Sequence, residues 1–110
     1  MTSLNDTDIE RIARGVIART LPKAEWTHAA HFAAALWILT QHGDDAARVM
    51  PGLIRAYNEA TGTPNTDTSG YHETITLASL RAARSVLQAH EGATLSRVLE
   101  ALMASDVGKS

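Results

Sequence analysis

The sequence predicts an all-α protein, an up-down helical bundle of four main helices plus a short C-terminal helix. Three observations carry this. Nineteen of the 110 residues are Ala, the residue of highest helix propensity and one small enough to let helices approach closely. Only three Pro and seven Gly interrupt the chain. Apolar residues recur at the 3, 4, 7, 8 spacing of a helical face in successive segments, and no stretch alternates as a half-buried strand would.

The first helix has the sharpest start. Thr7-Asp8-Ile9-Glu10 fits a capping box, with Thr7 at the cap. Ile9, Ile12, Ala13, Val16 and Ile17 then share a face, with Arg11, Arg14 and Arg19 off it. Pro22 ends the helix by Thr20 or Leu21. The second helix has two candidate starts. Either Thr27 caps it and leaves Glu25 in a loop, or Pro22 sits in its first turn and Glu25 is helical. Gly43 ends it, and apolar residues from Ala29 to Ile38 cover so wide an arc that it belongs at the centre. The third helix starts at Asp44 or Asp45 and runs to about Ala60, with a break or kink expected at Pro51-Gly52. Residues 61–70 are all turn formers or polar and form the one true loop. The fourth helix spans about Tyr71 to His90, with Ile75, Ala78, Ala82, Val86 and Ala89 on its buried face. Thr94 caps a short fifth helix, whose inner side carries Leu95, Val98, Leu99, Leu102 and Met103. Residues 105–110 read as a frayed polar tail.

Composition narrows the function classes. Residues 1–110 form a single domain with no linker or repeat, and a compact fold of this length has a radius of about 13 Å. Discounting Ala leaves about 30 larger apolar side chains for the core. There is no Cys, hence no disulfide, thiolate zinc site or thiol nucleophile. A net charge of −2 gives no reason to expect a nucleic-acid or acidic-membrane partner. No apolar run approaches a membrane span, and Met1–Asp8 lacks the regions of a signal peptide, so a soluble cytoplasmic protein is the expectation.

Five His residues are unevenly placed. His28 and His31 are three apart and share a helical face. With helices alternating up and down, the second and fourth are parallel, so His72 and Glu73 arrive at the same end. Tyr57 and Asn58, late in the antiparallel third helix, arrive there too. His42 and His90 lie at helix C-termini, at the opposite end, as partners of the helix dipoles. Neutral imidazoles bind zinc, iron, nickel or copper, and two positive helix ends favour the neutral ring. Three His ligands leave a position open, as in catalytic sites. The expected metal ligands are therefore His28, His31 and His72. Glu73 is a further ligand or a catalytic base toward a metal-bound water, with Glu25 its competitor. Tyr57, Asn58, Trp26 and Tyr71 line the expected pocket. Arg81 and Arg84 read as a solvated face.

The segments Glu25-Trp26-Thr27-His28-Ala29-Ala30-His31, Tyr57-Asn58 and Gly70-Tyr71-His72-Glu73-Thr74-Ile75-Thr76 resemble a family of small bacterial proteins. That family pairs Trp/Phe-Thr-His-x-x-His with Tyr-His-Glu-Thr. The resemblance covers about Leu21 to Arg84, both motifs are intact, and it brings no activity with it. A helical bundle with three convergent His is also similar in plan to the DinB-like metal-binding proteins. The leading expectation is metal-assisted chemistry on a small molecule. The alternatives are a non-enzymatic helical binding or homodimerisation module, and a metal-free pocket for a small anion at the two helix N-termini.

Overall fold

The computed structural model describes residues 4–62 and 73–104, without the side chains of His28 and of residues 73–76. Most of the expected loop, Tyr71, His72 and the tail 105–110 lie outside the described residues. The protein is all-α: every regular element among the described residues is helical.

Helix α1 (Asp6–Ala18) has its cap two residues before the expected one. Asn5 is the cap: its Oδ1 accepts from the Asp8 N–H at 2.8 Å, and the Asp8 carboxylate accepts from the Asn5 N–H at 3.2 Å. Thr7 is thus a first-turn residue. The reciprocal box uses Asn, a stronger cap than Thr, and places Asp6 and Asp8 at the positive end of the helix. The helix also stops earlier than Pro22 requires. Arg19 takes a left-handed φ of 61°, and the Gly15 carbonyl accepts from Thr20 and Leu21 N–H groups. This folds Leu21 back onto Gly15, where a Cβ would stand 2.9 Å from the Leu21 Cβ. Ile9, Ile12, Ala13 and Val16 are buried as expected, whereas Ile17 is exposed.

Helix α2 (His28–His42) starts at Thr27, whose Oγ1 accepts from the Ala30 N–H at 3.2 Å. Glu25 therefore belongs to a separate single turn, Lys23–Glu25. Gly43, at φ 55°, ends α2. Ala30, Phe32 to Leu36, Ile38 and Leu39 are all buried. Such a helix must be surrounded, and α2 packs against each of the other four. Helix α3 (Ala46–Ala60) follows a short turn at Gly43–Asp45. Of the expected break or kink at Pro51, the break is absent: the helix runs unbroken through it. Proline removes one backbone hydrogen bond, while Met50, Ile54 and Tyr57 bury a continuous stripe on the same helix.

Helix α4 (Glu73–Ala89) turns a different face inward than its alanine stripe suggested. Ala78 and Ala89 are exposed, Ala82 and Val86 are half-buried, and Ser79, Leu80 and Ala83 are buried. A leucine gains about 1.5–3 kcal/mol from burial and an alanine much less, so the face carrying Leu80 prevails. Helix α5 (Leu95–Ala104) is capped by Thr94, whose Oγ1 accepts from the Arg97 N–H, and it buries Val98, Leu99 and Leu102. Two contacts orient the later helices. Arg84 in α4 pairs with Asp44, just beyond α2, and the Ser96 N–H donates to Asp6 at the start of α1. Among the described residues no helix is long and apolar enough to cross a membrane.

Candidate functional site

The residues around the start of α2 interlock through rings and hydrogen bonds. The chain leaves α1, turns at Leu21, and passes through the Lys23–Glu25 turn before Thr27 caps α2. This brings Trp26 against the first turn of α2. Its indole stacks on the His31 imidazole, with ring centroids 5.4 Å apart and planes 16° from parallel. Tyr57, from α3, meets the same indole edge-on at 5.5 Å. Phe32 lies tilted against His31 at 6.3 Å. The His31 imidazole is thus held in one orientation, and its Nε2 is out of reach of solvent.

The polar groups are tied in from two directions. The Tyr57 hydroxyl donates to the Leu21 carbonyl at 2.9 Å. Lys23 Nζ sits 5.2 Å from the centre of the Tyr57 ring and donates to Asn58 Oδ1 at 3.2 Å. Arg11, reaching from α1, pairs with Glu25 at 2.6 Å. Burial lowers the Lys23 pKa from its ordinary 10.5. Burial raises the Tyr57 pKa above 10.0, and the charge of Glu25 adds to the rise.

Some expected site residues come together here and others do not. Trp26 and His31 are in contact, with Tyr57 beside them. Tyr57 is fully buried and its hydroxyl is engaged, so it supports the site from within the core. Asn58, 2% exposed, holds Lys23. Glu25 faces Arg11, which is a different occupation from the base role weighed for it. His28 opens α2 and Glu73 opens α4, but their side chains, with all of Tyr71 and His72, lie outside the described residues. Among the described residues no group of three or more His, Asp or Glu is placed to hold a metal ion. His42 and His90 are exposed, His42 closing α2 and His90 following α4.

Lys23 and Arg11 did not stand out in the sequence. Lys23 meets its partner 35 positions away and Arg11 meets Glu25 14 away. Neither pair has a local spacing that could mark it. In chemical terms the arrangement offers one oriented imidazole, one cation over an aromatic face, and an aromatic wall that excludes water. No family model, curated protein or solved structure matches the chain.

Proposed function

We propose that this end of the bundle is a transition-metal site formed by His28, His31 and His72, acting on a small molecule. The observation that carries the reading is the fixed His31 ring, clamped by Trp26 one turn into α2 and three residues from His28. An imidazole held in one orientation loses little freedom on coordination, and the pair His28/His31 shares a helical face. The packing of α4 on α2 supports the third ligand. Asp44, beyond the end of α2, is paired with Arg84 in the second half of α4, which is in keeping with a parallel course that carries the start of α4 toward the start of α2. Zinc, iron, nickel or copper bound there would supply a Lewis acid with an open position. Glu73 is the base or a further ligand, and Trp26 and Tyr71 line the approach. Kinship with the small bacterial family and a cytoplasmic location belong to the same proposal.

The test is a titration of metal-stripped protein with zinc, nickel, copper and ferrous iron, followed by thermal melts. Metal at about 100 times its Kd should stabilise the parent by about 2.7 kcal/mol. His28→Ala, His31→Ala and His72→Ala should each lose most of that gain. The reading fails if the parent binds none of these metals, or if all three variants keep the parent affinity. Stabilisation by small anions without metal would instead favour the anion pocket. Self-association that survives all three substitutions would favour the homodimerisation module.

A further inference from the structure

The opposite end of α2 carries a cavity with no histidine in its lining. It holds about 340 Å³ and is floored by Leu39, Leu77, Leu80 and Ala47. Its rim is Asp44, Arg81 and Arg84. The volume falls in the range of small-molecule sites, which are mostly apolar with a few placed polar groups. At about 30 Å³ per small heavy group, it admits about ten heavy atoms.

The rim decides the charge of the occupant. Asp44 is taken by Arg84. The neighbouring Arg48 is likewise taken by Asp45, at 3.1 Å. Arg81 has no acidic partner among the described residues, so two guanidiniums face one carboxylate and the rim is left with one positive charge. A guanidinium beside an apolar hollow matches a planar carboxylate on an apolar body, because its paired N–H groups bond both carboxylate oxygens at once.

We propose that this cavity binds a small amphipathic carboxylate, such as a medium-chain acid, with the carboxylate on Arg81 and the apolar chain over Leu39, Leu77 and Leu80. Asp44 acts as the internal competitor, because it holds Arg84 away from the ligand. The site needs no metal and shares no residue with the histidine end, so either proposal can fail alone.

The probes are octanoate, octylamine and acetate, each followed by amide chemical shifts and thermal melts below the micellar range. Octanoate should shift amides of Leu39, Ala47, Leu77 and Leu80 and raise the Tm. Octylamine should do neither, because its charge is wrong, and acetate should bind far more weakly, because it lacks the chain. Arg81→Gln should weaken octanoate about tenfold. Asp44→Asn should strengthen it severalfold by releasing Arg84. Both side chains are exposed, so these variants should fold as the parent does. The proposal is overturned if octylamine binds as well as octanoate, if acetate matches octanoate, or if Arg81→Gln leaves the affinity unchanged.

Discussion

The two ends of α2 are built on different plans. At its start, Trp26, His31 and Tyr57 interlock, and Lys23 is drawn onto the buried Tyr57 and Asn58. At its finish, Gly43 and a short turn lead into α3, the ion pairs Arg84–Asp44 and Arg48–Asp45 lie at the surface, and an apolar hollow is left among them. The difference concerns where polar groups are satisfied. At the first end the Tyr57 hydroxyl and Asn58 are satisfied inside the core, so disturbing them disturbs the fold. At the second they face water, where ion pairs contribute little and can be changed without unfolding the protein.

Substitution at each end gives the largest contrast. Tyr57→Ala removes a fully buried ring and should cost about 3–5 kcal/mol. Tyr57→Phe keeps the ring but leaves the Leu21 carbonyl without the hydroxyl, and should cost about 1–2 kcal/mol. Arg84→Gln at the other end should cost no more than about 1 kcal/mol. Urea unfolding of the three variants measures all of this. If Arg84→Gln proved as costly as Tyr57→Phe, the distinction between the two ends would collapse.

Two glycines sharpen the contrast at smaller scale. Gly15 lies under Leu21 at the turn leading to the first end, and an added Cβ would meet the Leu21 Cβ at 2.9 Å and its Cα at 3.3 Å. Those atoms are fixed by the backbone, so Gly15→Ala should destabilise by about 1–3 kcal/mol. Gly52 lies inside α3, where an added Cβ meets nothing within 4 Å. Gly52→Ala should therefore stabilise by about 0.5–1 kcal/mol, through helix propensity and reduced freedom of the unfolded chain. Thermal melts that moved in the same direction would show that the Leu21 turn yields more easily than its geometry implies.

The sequence carried the helices better than their faces. The Thr27 cap, the Gly43 stop and the Thr94 cap are local signals, and each operates where its chemistry says it should. Competing local signals misled. Asn5-x-x-Asp8 and Thr7-x-x-Glu10 both fit a capping box, and only the pairing of side chains in the structure selects the first. In α4 the alanines and the leucines mark different stripes, and the number of small residues outweighed the area that Leu80 buries. At the candidate site, helix direction led to the expectation that His31 and Tyr57 share one end, and Trp26 contacts both. The Trp26 stack on His31 did not follow from helix direction, because it depends on the turn that precedes α2, and the Lys23–Asn58 bond did not, because a contact across 35 residues leaves no periodic trace. Arg81 and Arg84 looked like a plain solvated face because a cavity between helices is a property of packing, which no single helix reveals.

The smallest expected effect is the response of the first end to alkaline pH. The Tyr57 pKa is raised, first by burial and then by Glu25, so the folded state holds the phenol proton more tightly than the unfolded state does. Its contribution is fully present below pH 10.0 and is lost as pH rises through the raised folded value. The Lys23 pKa is lowered by burial, so its folded state releases a proton sooner. That penalty is present at neutral pH and is relieved as pH climbs through the lowered folded value toward 10.5, which opposes the tyrosine. Lys23 is exposed and solvent screens its charge, so its slope should be the weaker of the two. Urea unfolding between pH 8 and 11 separates the two groups. Above pH 10 the parent should lose stability faster than Tyr57→Phe, which has no phenol to ionise. Between pH 9 and 10.5 Lys23→Met should lack the small gain that the parent shows relative to it. Glu25→Gln should soften the tyrosine loss, because the second cause of the raised pKa is removed. Parallel curves for the parent and Tyr57→Phe would mean that the hydroxyl is open to water, and the sealed first end would then resemble the open second end.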